Sequence, residues 1–222
     1  MILVKPSATI LEIMGGIHHS AAIQLIEVAG RTCYKSEDKI DDDSAKGFIK
    51  CIFKRGHESV IEHSAATVRI ICDRGVTHEI VRHRLVAYSQ ESTRYCNYKG
   101  GVAFVIPPWV DIEPGKYLYE SDLSKRSYLD TGRTDWFDSM IRAESCYQSL
   151  MNDGWSPQQA RSVLPNSLKT EIVCTTNFRE WRHIFKLRTS KAAHPQMREI
   201  MIPLLAEFKE RVPVIFDDIE AD

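Results

Sequence analysis

The chain has 222 residues, 43% of them hydrophobic and 27% charged, with a formal net charge of -1. That length allows one substantial core or at most two small ones, and the near-neutral charge argues against a generic nucleic-acid binder, which carries a basic excess. No stretch approaches the ~18 apolar residues of a membrane span. The six cysteines form no CxxC pair, and the N-terminal MILVKPSATILEIMGG lacks the long apolar region and cleavage site of a secretory signal. Reduced thiols in the cytoplasm fit that pattern better than a disulfide framework or a zinc site.

Residues 2–13 are rich in β-branched side chains and open the chain as an edge strand. From Ser20, a good N-cap, the run AAIQLIEVAG has helical spacing, with Gly30 as its stop. A second helix runs from Asp43 or Ser44 to Arg55, burying Phe48, Ile49, Ile52 and Phe53, and ends at Gly56. Residues 65–72 (AATVRIIC) read as a strand, and a short helical segment, THEIVRHR, begins at Thr77. Residues 102–108 form another strand closed by prolines. Residues 109–135, broken by Pro114, Gly115 and Gly132, read as a long loop or insertion.

Helices are expected at about 136–153, 157–163, 167–173 and 177–190. A last one at about 194–211 carries Met197, Ile200, Met201, Leu204, Leu205 and Phe208 on one apolar stripe, with a kink at Pro203. No repeat, low-complexity tract or linker interrupts the pattern, so one α+β domain over 1–222 is the simplest reading.

Polar chemistry concentrates in HESVIEH (57–63) and RHRLVAYSQESTRY (82–95). On a helix, Arg82, His83 and Arg84 fan out at ~100° steps and cannot all face one small anion. Glu79 would lie within reach of Arg82 or His83. The hydroxyl-rich stretch that follows ends in Arg94, whose planar fork suits a phosphate or a pyrimidine edge. A solvated charged face would not need Ser89, Ser92 and Thr93 closing onto a second arginine. These residues by themselves indicate a pocket for an anionic ligand such as a nucleotide, and no particular reaction.

The same residues resemble a known family. Arg82, His83 and Arg84, seven intervening residues and Ser92, continuing through Thr93 and Arg94 to Tyr95, are similar to the signature of the flavin-dependent thymidylate synthases, the ThyX family. HESVIEH, ARSVLP (160–165) and NFREWRHIFKLR (177–188) resemble that family's other segments in the same order, over about residues 20–210.

The resemblance implies an α+β fold with a central, mostly antiparallel sheet flanked by helices. It also implies reductive methylation of dUMP to dTMP without a cysteine nucleophile. The cofactor would be FAD, with NADPH and 5,10-methylenetetrahydrofolate as cosubstrates, in a homotetramer whose sites form between subunits. No metal, nucleic acid or membrane enters that scheme. The positions matching FAD contacts are Ser59, Arg82, His83, Arg84, Gln90, Asn177, Phe178, Arg179 and His183. Those matching dUMP contacts are Glu79, Ile80, Val81, Arg82, Gln90, Glu91, Ser92, Thr93, Arg94, Arg161 and Arg188.

The catalytic matches are His57 near the flavin ring, Arg188 assisting ionisation of the uracil ring nitrogen, and Ser92 positioning dUMP. Glu79, Gln90 and His183 depart from the commoner Gln, Glu and Asn at their positions. On a regular helix Arg179 and His183 share one stripe, and Asn177 and Arg188 another, above buried Phe178, Trp181, Ile184 and Leu187.

Two other classes compete. A non-catalytic nucleotide- or single-stranded-RNA-binding module could stack bases on Tyr88, Tyr95 and Tyr98, but the near-neutral charge weighs against it. A metalloenzyme using His18, His19, His57 and His63 lacks HExxH or paired-cysteine spacing. GxGxxG and GxxxxGK are also absent, so any flavin would be held by scattered side chains.

Overall fold

A computed structural model describes residues 1–15, 20–118 and 131–221. Its secondary structure is α+β, with an antiparallel sheet flanked by helices as the family resemblance implies. Two compact units emerge, each assembled from three separate stretches. The first comprises Met1–Ser7, Ile71–Arg82 and Ser89–Ile172; the second comprises Ala8–Ile70, His83–Tyr88 and the chain from Val173 onward.

In the first unit, β1 (Ile2–Val4) is the middle strand of a three-stranded sheet. It runs parallel to β5 (Ala103–Val105) and antiparallel to β6 (Gly115–Lys116). Leu3, Phe104 and Ile106 of this region are buried with Phe137, Met140, Ile141 and Tyr147 of α4 (Thr131–Asn152) in one apolar core. Tyr117 meets Phe137 edge to face at 5.4 Å, the geometry the ring quadrupoles favour. The helix therefore begins at Thr131, inside the segment read from sequence as a loop; residues 119–130 of that segment lie outside the described residues.

Helix α3 (Arg74–Ile80) starts where the Asp73 side chain accepts the Val76 amide at 2.7 Å. This N-cap satisfies one of the donors a helix start leaves unpaired. Helix α5 (Pro157–Ala160) opens with a Ser156–Gln159 capping box and proline in its first turn.

The second unit is mainly helical: α1 (Ser20–Tyr34), α2 (Ser44–Lys54), α6 (Phe178–Arg188), α7 (Pro195–Arg211) and α8 (Pro213–Phe216). Helix α1 runs past Gly30 because that glycine is packed rather than free. A Cβ there would come within 2.6 Å of the Phe48 ring, so Gly30 permits the close approach of α2. Gly56, at φ +70°, does end α2 as expected. Phe48 and Phe53 are only half-buried; Ile49 and Ile52 carry the α2 core contact.

The whole expected stripe of α7 is buried, and the helix continues through Pro203. It closes over an aromatic cluster of Trp181, Phe185, Phe208 and Phe216, with ring centroids 4.9 to 5.9 Å apart. Leu187, expected in the core, is exposed; Phe185 fills that role instead.

A four-stranded sheet has the order β2 (Ser7–Ile13), β3 (Ala65–Asp73), β7 (Lys169–Asn177), β4 (Ala87–Gln90). Strand β7 overturns the expected helix at 167–173. Its burial alternates strictly, with Thr170, Ile172, Cys174 and Thr176 inward. That is the two-residue period of a pleated strand, and its Thr, Ile and Val content agrees. Among the described residues no helix is long and apolar enough to cross a membrane.

Candidate active site

The segment 82–84 is not helical. Helix α3 stops at Ile80, and Val81 follows as its C-cap. Exposure then alternates: Arg82 and Arg84 are exposed, whereas His83 is 6% accessible. An extended turn, rather than a helical fan, separates the two guanidinium groups from the imidazole between them.

Within the second unit His83 is held from several directions. Arg188, the last residue of α6, donates from Nε to His83 Nε2 at 3.0 Å. The His83 carbonyl accepts from the Tyr88 hydroxyl at 2.9 Å. Two residues on, the Leu85 carbonyl accepts from Thr176 Oγ1 at 2.7 Å. Because Nε2 is an acceptor, the ring proton is assigned to Nδ1, which faces Glu180 Oε1 at 3.5 Å.

Burial, together with the positive charge of Arg188 and the nearby His183, lowers the His83 pKa to about 4. The ring is therefore neutral near pH 7, and its contact with Glu180 is not an ion pair. Burial likewise raises the Tyr88 pKa, so its phenol remains a donor.

His83, Glu180 and His183 present ligand atoms within 4.8 Å of one another. With His83 Nε2 already engaged by a guanidinium, a cation there would meet a fixed positive charge a few ångströms away. His57 and His63 do not join that group, and His18 and His19 lie outside the described residues.

The second unit also gathers most positions matched to flavin. The turn Glu58–His63 meets the start of α6 through the Phe178 amide donating to the Ser64 carbonyl at 2.8 Å. Arg179 donates to Glu62 at 2.5 Å across the same junction. Ser59, Arg179 and His183 are exposed there, and His57 is hydrogen-bonded through Nδ1 to the Tyr34 hydroxyl at 2.9 Å. Exposed hydroxyl, guanidinium and imidazole groups side by side suit a large polar cofactor held by scattered contacts.

Two of the matched positions have other duties. The Phe178 ring is fully buried against Phe216, and its amide is already given to the Ser64 carbonyl. The Asn177 side chain caps α6 by accepting the Glu180 amide at 2.9 Å.

The first unit holds Glu79, Ile80, Val81, Arg82, Arg161 and residues 90–94. Ile80 is buried and packs in the core of α3, and Val81 is exposed. Gln90 donates to Thr77 Oγ1 at 3.1 Å and to Thr170 Oγ1 at 3.3 Å, which orients it inside the unit. The Thr93 hydroxyl accepts from Arg161 Nη1 at 3.0 Å, joining two motifs far apart in the chain.

Thr93 and Arg161 line a concavity with Arg74, Ser162, Pro165 and Asn166, and its described lining includes no carboxylate. Among the described residues Arg74 Nη1 is buried without a hydrogen-bond partner, a costly arrangement for a charged donor. Sequence reasoning missed Arg74, because its position at the start of α3 gives no local hint that Arg161 lies nearby. Arg94 and Ser92 border the same loop, with Arg94 exposed.

A concavity lined by guanidinium groups in one unit, and a neutral histidine hydrogen-bonded to an arginine in the other, are the main polar centres of this α+β protein. The family described as "Thymidylate synthase complementing protein" matches residues 17–214. Flavin-dependent thymidylate synthases of Corynebacterium diphtheriae and Mycobacterium avium are each 34% identical to this chain. The alignments span 200 and 203 residues, covering 88% of this chain in each case and 78% and 79% of those proteins. The chain belongs to the flavin-dependent thymidylate synthase family.

Its fold is also that of the UMP/dUMP methylase PolB from Streptomyces cacaoi, solved with 5-Br dUMP. The TM-score is 0.75 at 24% identity, over 98% of this chain and 96% of that one.

Proposed function

We propose that the chain converts dUMP to dTMP, taking the one-carbon unit from methylenetetrahydrofolate, with residues 1–222 acting as one catalytic domain in the cytoplasm. The observation that carries this reading is the carboxylate-free concavity holding Arg74, Arg161 and Thr93 in a chain of this family. Two guanidinium groups and a hydroxyl suit the nucleotide phosphate, which arginine can engage through paired N–H donors. Residues 90–94 would set the register of the sugar and base beside it.

FAD fits the exposed set Ser59, Arg84, Arg179 and His183, with His57 oriented by Tyr34. FAD held there would supply the hydride that completes the methyl group, with NADPH as its reductant. Arg188 has the charge to stabilise an ionised uracil ring, and its bond to neutral His83 fixes the guanidinium before substrate arrives. Such preorganisation is worth most where water is excluded. Leu85 and Tyr95, 73% and 75% exposed, flank the motif residues. Large exposed apolar side chains at such positions suit subunit contacts in a homotetramer.

The purified protein should be yellow and should form dTMP from dUMP, methylenetetrahydrofolate and NADPH. Loss of both flavin binding and dTMP formation would end the proposal. Replacing any one of the four exposed cysteines, Cys33, Cys51, Cys96 and Cys146, by serine should leave turnover within about twofold of wild type, the range of ordinary surface changes. Cys72 and Cys174 are buried, and burial pushes the Cys174 thiol up to about 12, a poor setting for a nucleophile. A cysteine variant that stayed stable yet lost all turnover would contradict the non-cysteine chemistry.

A further inference from the structure

We propose that Glu91, Lys169 and Tyr98 form a clamp that positions the substrate loop 92–94, and that Glu91 acts on dUMP only through that loop. This rests on reading the loop as part of the dUMP site. The Glu91 side chain is fully engaged within the first unit. Oε2 accepts from Lys169 Nζ at 3.1 Å and Oε1 from the Tyr98 hydroxyl at 2.9 Å. Its backbone amide donates to the Glu171 carbonyl at 2.8 Å, and Lys169 reaches Glu171 Oε1 at 2.5 Å. Both carboxylate oxygens and the backbone donor are thus taken up by protein groups.

The next residues show what this anchoring holds. The Ser92 carbonyl accepts the amides of Tyr95 and Cys96 at 3.2 and 2.9 Å, and its hydroxyl lies 3.3 Å from the Arg94 amide. Thr93, buried, is pinned by Arg161 at 3.0 Å. The loop is therefore fixed at Glu91 and again at Thr93, with the half-buried Ser92 between the two anchors.

Electrostatics supports the same division of labour. A free carboxylate next to a guanidinium-lined concavity would repel a phosphate and compete for its arginines. Lys169 offsets that charge in part, since its one ammonium is shared between Glu91 and Glu171. Burial works against the lysine's positive form, yet its bonds to Glu171 and Glu91 outweigh this and raise its pKa. The Tyr98 phenol is pushed upward by burial and by Glu91, so it stays a donor. None of the family-like motifs includes Lys169 or Tyr98.

The test uses the full-length flavin-loaded protein and steady-state dTMP formation with dUMP varied. Glu91→Gln, Lys169→Met and Tyr98→Phe should each raise the dUMP KM by about tenfold, the scale of one lost charge-assisted bond. The kcat, the folate KM and the flavin content should stay near wild type, since the affected interactions bind ground and transition states alike.

The double variant Glu91→Gln/Lys169→Met should be no worse than the worse single, because the two groups act as one unit. Lys169→Arg, which keeps the charge, should restore most of the KM. Tyr98→Phe retains the ring and covers the case in which the charge variants fold poorly. A dUMP KM unchanged in all three single variants, or equal losses against every substrate together with a lowered Tm, overturns the clamp alone. Wild-type protein that does not turn over dUMP overturns the clamp and the proposed function together.

Discussion

Arg188→Ala is expected to lower kcat for dTMP formation by about 100- to 1000-fold, the cost of removing one preorganised donor from a developing anion. The magnitude depends on two features of the second unit. The guanidinium is fixed by donating to His83 Nε2 at 3.0 Å, and His83 stays neutral because its pKa is held near 4. A protonated His83 could not accept that bond and would repel the arginine, so the pair stays intact across the neutral range.

The variant also strands a buried imidazole acceptor, which costs about 1–3 kcal/mol of stability. Circular dichroism and the flavin spectrum should therefore be measured beside turnover. Arg188→Lys retains the charge but loses the planar fork, and it should remain well below wild type. Wild-type turnover in a folded Arg188→Ala protein would remove the arginine from the mechanism.

The second large effect is expected at the concavity of the first unit. Arg74→Ala and Arg161→Ala should each weaken dUMP binding by about 10- to 100-fold, as each deletes a charge-assisted contact worth roughly 1.5–3 kcal/mol. Equilibrium titration with dUMP, read by flavin absorbance, measures this directly. The two differ in how they act.

Arg74 lines the concavity, and its Nη1 is buried with no hydrogen-bond partner among the described residues, so its loss removes a charge without breaking a side-chain bond at that atom. Arg161 is exposed and already donates to Thr93, so its loss also loosens the 92–94 loop. Deoxyuridine, which lacks the phosphate, should bind almost equally to wild type and Arg74→Ala. Equal weakening for dUMP and deoxyuridine would show that Arg74 does not contact the phosphate.

Much of the fold was legible because hydrophobic periodicity reflects burial directly. The stripe on α7 and the strand at Ala65–Asp73 follow from it. The expected start of α2 at Asp43 or Ser44 agrees with the helix beginning at Ser44. The failures have equally local causes. Strand β7 was read as a helix because its apolar run is short and periodicity separates the two poorly at that length, although Thr170, Ile172, Cys174 and Thr176 alternate inward.

The segment 82–84 was placed on a helix because nothing in RHR stops one. The stop comes from the backbone turn after Ile80 and from the packing of His83 against Glu180 and Arg188. Leu187 was assigned to the core by spacing alone, which cannot tell a core-facing apolar residue from one left exposed.

By itself, the order of residues determined the family, the strands and helices with strong periodicity, and which residue types the chemistry needs. Those depend on short-range spacing and on motifs that a single chain displays openly. Only the tertiary structure decided which charges are live. It buried His83 and made it neutral, closed Glu91 onto Lys169 and Tyr98, and left Arg74 with an unpartnered donor beside Arg161. Protonation and pairing depend on desolvation and on neighbours brought from distant positions, and neither is written in the spacing of adjacent residues.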